Sequence, residues 1–281
     1  MIMRLLRGNT MKDLVQLYQN GQYIETEQYA WKILTQKTKQ KPSDLYDVWI
    51  LLGSALANQQ KYSEAKKSFQ QAITIHPKKS NAHYHLGLVL QAQQMFTEAI
   101  YCFQQVIILQ PDYWPVYYQL GNVFNHRQQY QQARDCYEKL ISLRPRHANG
   151  YNNLANVLSK LGLWTESIGR YQQAISLQDD FGEAYNNLGV ILQHLERWED
   201  AIAHHLWAIH LQPDYIDAHN NLSVAYQHTQ DWEKALKHSL YTVKLDPTSD
   251  NAYCNLGALH QRMYQWEKAI MAYNEALKLK P

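Results

Sequence analysis

The chain has 281 residues, and its 27 Lys and Arg side chains are nearly balanced by 25 Asp and Glu, for a formal net charge of +2. It lacks the basic stripe that releases counterions from a nucleic acid, and no apolar run approaches the roughly 18 residues that span a bilayer. We therefore expect no nucleic-acid or membrane partner. Because the first ten residues also lack a secretory signal, the expected location is cytoplasmic.

The first 45 residues are predicted to be a degenerate repeat followed by a linker. Asn20 to Thr26 has a glycine-containing turn followed by an aromatic residue, a pattern that recurs downstream, but the preceding helix is poorly marked. Lys37, Lys39 and Lys41 form a short basic run in extra residues before Tyr46, and a solvated loop is the interpretation that we favour.

From Tyr46 onward, one unit recurs every 34 residues without insertion. Its seventh place is always leucine, and such a period indicates a stack of copies of one structural unit. The seven units are 46–79, 80–113, 114–147, 148–181, 182–215, 216–249 and 250–281. Their leucines are Leu52, Leu86, Leu120, Leu154, Leu188, Leu222 and Leu256.

Four other places in the unit are restricted, and each restriction has a physical reason. The eighth and twentieth places are small, which allows two helices to approach closely. The thirty-second place is proline in every unit except that of Asp179, and proline ends a helix. The seventeenth place is aromatic and is predicted to open the second helix and pack over the turn. Its residues are Tyr62, Phe96, Tyr130, Trp164, Trp198, Trp232 and Trp266.

Two apolar stretches with helical spacing lie in each unit, for example Trp49, Leu52 and Leu56, followed by Ala65 and Phe69. Together with the restricted places described above, this pattern of two helices resembles the tetratricopeptide repeat (TPR) family over about residues 46–281. The resemblance implies an all-α fold, a right-handed α-solenoid of stacked helix-turn-helix TPR units. We expect one continuous solenoid, and stacked repeats are binding surfaces far more often than active sites.

No recognisable nucleophile, acid–base or phosphate-loop motif is present, so we expect neither an enzyme nor a cofactor. His126, His194 and His228 share the thirteenth place of different units, too far apart to ligate one metal ion. His205 occupies a place that other units give to Phe or Tyr, and we expect it to be packed. Cys102 and its equivalent in the next unit should lie beyond the roughly 7 Å limit for a disulfide.

In the family that this chain resembles, the first helices line a concave groove, and the second, fifth, sixth, ninth, twelfth and thirteenth places face it. The resemblance therefore implies a tyrosine-rich middle part and an asparagine-rich C-terminal part of the groove. The candidate peptide-binding residues are Tyr84, His85, Tyr118, Gln119, Asn122, Asn152, Asn153, Asn156, Asn186, Asn187, Asn220, Asn221 and Asn255.

An asparagine amide has both donors and an acceptor, so a ladder of them can hold the backbone of an extended peptide. The alternative is that these asparagines are structural and bond to neighbouring helices. Charged side chains are few along the groove, which predicts weak salt sensitivity. No Lys or Arg occupies the second, fifth or sixth place, so the carboxylate-binding clamp of chaperone-binding TPR proteins is absent.

Two functions fit the sequence. The first is a non-catalytic scaffold that binds an extended segment of a partner protein in the groove. The second is the substrate-recognition module of a larger transferase, because the asparagine ladder is similar to that of O-linked N-acetylglucosamine transferases. No capping helix follows Pro281, so we expect that the native chain continues, or that this end packs on a partner or self-associates.

Overall fold

A computed structural model describes residues 10–35 and 41–280, which form sixteen α-helices and no strand. The predictions that concern Lys37, Lys39 and Pro281 lie outside these residues. The chain divides into two compact units, residues 1–143 and residues 144–281. The first unit contains α1 Thr10–Gln19, α2 Tyr23–Thr35, α3 Pro42–Asn58, α4 Tyr62–Ile75, α5 Ser80–Ala92, α6 Phe96–Leu109, α7 Trp114–His126 and α8 Tyr130–Leu143.

The second compact unit contains eight further helices that pair in sequence order. Each pair begins at the first and seventeenth places of a 34-residue repeat. These helices are α9 Ala148–Lys160, α10 Trp164–Leu177, α11 Gly182–His194, α12 Trp198–Leu211, α13 Ile216–His228, α14 Trp232–Leu245, α15 Asp250–Arg262 and α16 Trp266–Leu279.

The turn inside each helix pair is closed by a left-handed residue at the fifteenth place of the repeat. In α5, for example, Gln94 has φ of 60° and the Met95 amide donates to the Leu90 carbonyl at 2.8 Å. This is the Schellman arrangement, which satisfies carbonyls at the end of a helix. Glycine occupies the place once, as Gly162, with φ of 75°. The other residues at this place are Gln60, Gln94, Gln128, Glu196, Gln230 and Tyr264.

The two helices of a pair approach closely where a small residue of the first meets a ring of the second. A Cβ added to Gly87 would lie 2.5 Å from Cε1 of Phe103, a ring that is fully buried. The same relation joins Gly121 to Tyr137 and Gly189 to His205, at 2.6 Å in each case. The eighth place is therefore small because a ring at the twenty-fourth place fills the space beside it. The repeat 216–249 is the exception, since its Ser223 hydroxyl bonds to that of Ser239 at 2.9 Å instead.

Successive repeats are joined by a side chain of the fourth place, which bonds to the carbonyl of the preceding proline. Tyr117 Oη donates to the Pro111 carbonyl at 2.8 Å, and His219 Nε2 donates to that of Pro213 at 2.8 Å. The conserved spacing of proline therefore fixes the end of a helix and also supplies an acceptor to the next repeat.

The start of the first full repeat differs from the prediction. Its helix, α3, begins at Pro42 rather than at Tyr46, because proline is well accommodated at the first position of a helix. Before it, α1 and α2 form a further helix pair, with Gly21 at φ of 74° in the turn. The turn at Gly21 and the start of α2 at Tyr23 have the same order as in the later helix pairs.

In both compact units, each helix packs against the next along the chain, and neighbouring first helices of the pairs also contact each other. Second helices approach one another less closely. We call the surface formed by α9, α11, α13 and α15 the first-helix face of residues 144–281. Within the described residues, no helix combines the length and apolar character needed to cross a membrane.

The glycine–ring contact predicts opposite effects of two Gly→Ala substitutions. Gly87→Ala should destabilise the protein by about 1–3 kcal/mol, because the new methyl group would overlap the buried Phe103 ring. Gly169→Ala, inside α10 with nothing within 4 Å of the added Cβ, should instead stabilise it by about 0.5–1 kcal/mol. Urea denaturation measures the free energy of unfolding of both variants, and equal changes in the two would contradict the packing argument.

Candidate functional site

The candidate residues of the first compact unit are engaged in packing. The Tyr84 ring contacts those of Phe103 at 6.1 Å and Tyr113 at 5.2 Å, and burial raises the pKa of its hydroxyl. His85 stacks on Phe69 with centroids 5.5 Å apart, and burial lowers the pKa of its imidazole. These side chains stabilise the helix pairs and present only part of their surface.

The remaining three candidates of this unit make similar internal contacts. The Tyr118 ring lies 6.5 Å from that of Tyr137, whose hydroxyl donates to Asn122 Oδ1 at 2.7 Å. Gln119 bonds to the hydroxyl of Tyr84. The predicted tyrosine-rich groove is thus largely a set of aromatic contacts between helices.

In the second compact unit, two of the fifth-place asparagines are buried. Asn152 is 2% exposed and Asn186 is 4% exposed, so the expectation that these two side chains line an open groove is wrong. Asn152 Nδ2 donates to Glu183 Oε1 at 3.0 Å, and Asn186 Oδ1 accepts from His205 Nδ1 at 3.0 Å. They point between neighbouring helices because polar partners are available there.

The sixth-place asparagines use their amide groups to link neighbouring repeats. Asn187 Nδ2 donates to Asn156 Oδ1 at 3.3 Å, and Asn221 Nδ2 donates to Asn186 Oδ1 at 3.1 Å. Asn156 Oδ1 also accepts from the Tyr171 hydroxyl at 2.5 Å. The donors of Asn187 and Asn221 are therefore directed into the protein. Their Oδ1 atoms accept no hydrogen bond from the described residues and remain open acceptors on the first-helix face.

The other three candidates of this unit differ in exposure. Asn153 is half-buried, and its Oδ1 lies 3.5 Å from Asn152 Nδ2. Asn220 is also half-buried, and its Oδ1 is a buried atom without a hydrogen-bond partner among the described residues. Asn255 is exposed. The predicted ladder is thus uneven, with Asn187 and Asn221 as its best-ordered members.

His205 lies beneath this part of the face and is fully buried, as predicted. Its Nδ1 donates to Asn186 Oδ1, so the neutral ring accepts at Nε2, where Gln193 Nε2 donates at 3.0 Å. The same Gln193 amide donates to the Asn221 carbonyl at 2.7 Å. Burial, with a smaller contribution from His204, lowers the pKa of His205 to about 4.

Sequence reasoning did not single out Glu183 or Gln193, although both contact the candidate asparagines. Glu183 Oε1 accepts from Asn152 and, at 3.5 Å, from Asn187. Both residues occupy places that the family resemblance assigns to the groove. The sequence carries one signal for Glu183, which is the longest side chain found at the second place of any repeat.

The histidines at the thirteenth place stack on the turn aromatic of the preceding repeat. His228 lies on Trp198 with centroids 3.8 Å apart and planes at 4°, and His194 stacks on Trp164 at 5.3 Å. The packing role predicted for the tryptophans holds for these two, but Trp266 is 55% exposed. Its stacking partner would come from a following repeat, which the described residues do not include.

Other reactive groups are dispersed. Within residues 10–35 and 41–280, no three His, Cys, Asp or Glu side chains are close enough to hold a metal ion. Cys102 and Cys136 are buried, free thiols. Burial raises the pKa of Cys102 to about 11 and that of Cys136 to about 12, so neither supplies a thiolate near neutral pH.

Comparison with known sequences agrees with this arrangement of helix pairs. Models described as tetratricopeptide repeat match residues 80–113, 115–180, 171–203 and 250–281, and one described as TPR repeat matches 53–94. Together they cover more than half of the chain. The protein belongs to the tetratricopeptide repeat family. No protein of curated function matches this TPR protein in sequence.

Solved structures share the fold of this TPR protein at low sequence identity. PilF of Pseudomonas aeruginosa is 15% identical with a TM-score of 0.65, covering 80% of this chain and 99% of its own. YrrB, described as a TPR protein with an unusual peptide-binding site, is 22% identical with a TM-score of 0.56, covering 66% and 96%. The APC/C hetero-tetramer Cut9–Hcn1 is 18% identical with a TM-score of 0.64, covering 92% and 50%.

The buried His205 predicts that the TPR protein loses stability in mild acid. The pKa of this imidazole falls from its ordinary 6.5 to about 4 on folding, so the unfolded chain binds the proton more tightly between these values. The contribution of His205 to the free energy of unfolding should be highest above pH 6.5. It should fall by about 3 kcal/mol as the pH drops to 4. Urea denaturation at several pH values measures the loss.

The matched variant for this measurement is His205→Tyr. Tyrosine is found at the same place in other repeats, and Tyr273 Oη donates to Gln261 Oε1 at 3.0 Å, in the place that Gln193 occupies here. His205→Tyr should reduce the pH dependence and leave the part due to His238, whose pKa burial also lowers to about 4, whereas His210→Tyr, at an exposed residue of the same helix, should leave it unchanged. An unaltered slope in His205→Tyr would contradict this origin.

Proposed function

We propose that this TPR protein is a non-catalytic scaffold that holds an extended segment of a partner protein on the first-helix face of residues 144–281. The observation that supports it best is the pair of open acceptors, Asn187 Oδ1 and Asn221 Oδ1, at equivalent places of adjacent repeats. Their amide groups are anchored to Asn156 and Asn186. Such pre-positioned acceptors lose little side-chain entropy when a ligand binds.

The spacing of these acceptors suits an extended chain. Neighbouring helices pack roughly 8–10 Å apart, and an extended chain rises roughly 3.3 Å per residue. About three ligand residues therefore span one rung, and in a polyproline II chain, which has three residues per turn, every third backbone amide points to the same side and can donate to a rung. The resemblance of the fold to YrrB, whose described site binds a peptide, is consistent with this role.

The alternative, a substrate-recognition module of a larger transferase, would use the same face. The asparagine places that suggested this similarity are the ones that link repeats here, so they do not by themselves favour a transferase. Sequencing the native transcript beyond residue 281 distinguishes the alternatives, because a transferase requires a catalytic domain that follows.

The double variant Asn187→Ala, Asn221→Ala tests the scaffold role. Peptides enriched on the wild-type protein from a random 12-residue display library serve as ligands, and isothermal titration measures their affinity. Loss of two acceptors should weaken binding by about 1–3 kcal/mol, or roughly 5- to 150-fold. Asn274→Ala, at an exposed residue of the second helix α16, is the matched control and should bind as the wild type does.

Since both substitutions also remove bonds between repeats, circular dichroism must confirm that the variant is folded at the titration temperature. Unchanged affinity in the folded double variant would refute the role of these acceptors. Failure of the library to yield any peptide that competes for this face would refute the scaffold function itself.

A further inference from the structure

A carboxylate is held at the edge of the acceptor ladder. Glu183, the second residue of α11, is exposed, and its Oε1 accepts from Asn152 Nδ2 of α9 at 3.0 Å and from Asn187 Nδ2 at 3.5 Å. Two amides from adjacent repeats thus fix the position of the group. A carboxylate offers about four acceptor sites, so about half of its capacity remains for a ligand.

No cation of the described residues neutralises this carboxylate. Glu183 forms no ion pair with them, and the basic residue of α9, Lys160, lies at the thirteenth place, in the last turn of that helix. Eleven residues along a helix correspond to roughly 16 Å, well beyond an ion pair. The negative charge of Glu183 therefore faces the ligand side unpaired.

The amide that holds Glu183 is itself incompletely bonded. Asn152 is 2% exposed, its Nδ2 is directed at Glu183, and its Oδ1 has no hydrogen-bond partner among the described residues. A buried acceptor without a partner is destabilising, because it has lost its hydrogen bonds to water. On the ligand side, Glu183 and the open Oδ1 of Asn187 offer acceptors only, because the Asn187 amide already donates to Asn156 and Glu183.

An acid in the first turn also favours a helix by complementing its dipole, and Asp217 at the same place of the next repeat fits that explanation. The two differ in their contacts, however. Asp217 accepts no hydrogen bond from the described residues, whereas Glu183 is held by two amides and lies beside a buried acceptor without a partner. Helix stabilisation requires neither of these features.

We propose that Glu183, positioned by the buried Asn152 and assisted by Asn187, binds a cationic side chain of the segment held on the first-helix face, with arginine as the preferred residue. This inference rests on the proposed scaffold function. A guanidinium has five N–H donors in a planar fork and no acceptor, so it complements a site made of acceptors alone. A lysine ammonium has three donors and is more strongly hydrated, so it should bind less well.

Four synthetic peptides test the proposal. Each is a nine-residue alanine–serine chain with blocked ends, and its central residue is arginine, lysine, norleucine or glutamate. Side-chain amide NMR shifts of Asn187 and Asn221 give the affinities at low ionic strength. The arginine peptide should bind about tenfold more tightly than the norleucine peptide, the lysine peptide should lie between them, and the glutamate peptide should be weakest. Salt at 0.5 M should shrink these differences.

Glu183→Gln removes the charge but keeps an oxygen that can accept from Asn152 and Asn187. It should reduce the arginine preference to less than twofold while the norleucine peptide binds as before. Glu199→Gln removes one charge from an exposed residue in the first turn of the second helix α12, and it should preserve the preference.

The outcomes separate this inference from the scaffold function. If all four peptides bind equally and shift the amides of Asn187 and Asn221, the cation site is wrong and the scaffold function stands. If Glu183→Gln weakens the norleucine peptide as much as the arginine peptide, Glu183 positions the ladder and does not bind a cation. If no peptide shifts these amides at millimolar concentration, both proposals fail.

Discussion

In six of the seven repeats, the contact between a small residue at the eighth place and a ring at the twenty-fourth place is the constraint on which the packing of the helix pair depends. At Gly189 there is no space for even a methyl group beside His205, and the same holds at Gly87 beside Phe103. This contact sets how closely the two helices of a pair approach. The distance between the two helices then determines how deeply the neighbouring side chains are buried. It therefore also determines which of these side chains reach the surface.

The asparagine ladder illustrates this dependence. Because His205 fills the space between α11 and α12, its ring nitrogens lie within reach of Asn186 and Gln193. Asn186 in turn accepts from Asn221 of the next repeat. A single buried imidazole therefore connects the core of one repeat to the surface asparagine of the next. The side-chain oxygens of Asn187 and Asn221 face outward because the NH₂ groups of the same side chains donate to neighbouring helices.

The sequence predicted the helix starts well, because proline, the small residues and the turn aromatic recur at fixed places with one physical reason each. It did not predict that α3 begins at Pro42, since the 34-residue phase placed its start at Tyr46. It also did not predict the left-handed residue at the fifteenth place. Glutamine occupies that place in most repeats and gives no turn signal, whereas Gly162 alone would have indicated it.

The ladder was predicted in position but only partly in orientation. Periodicity places Asn152 and Asn187 on the first helices of adjacent repeats, yet it cannot tell whether an amide meets solvent or a neighbouring repeat. That depends on partners distant in sequence, such as Glu183 for Asn152 and Asn156 for Asn187. The burial of Asn152 and Asn186 favours the structural interpretation for these two, whereas the proposed peptide contact involves the oxygens of Asn187 and Asn221.

Carbonyl-carbon NMR of the asparagine side chains tests this division most directly. The 13Cγ resonances of Asn187 and Asn221 should shift when a library-selected peptide saturates the protein, because their oxygens accept new hydrogen bonds. When the bound peptide carries no cationic side chain, the 13Cγ resonances of Asn152 and Asn186 should shift much less. Large shifts confined to the two buried asparagines, or no shift at Asn187 and Asn221 in a saturated complex, would contradict the account.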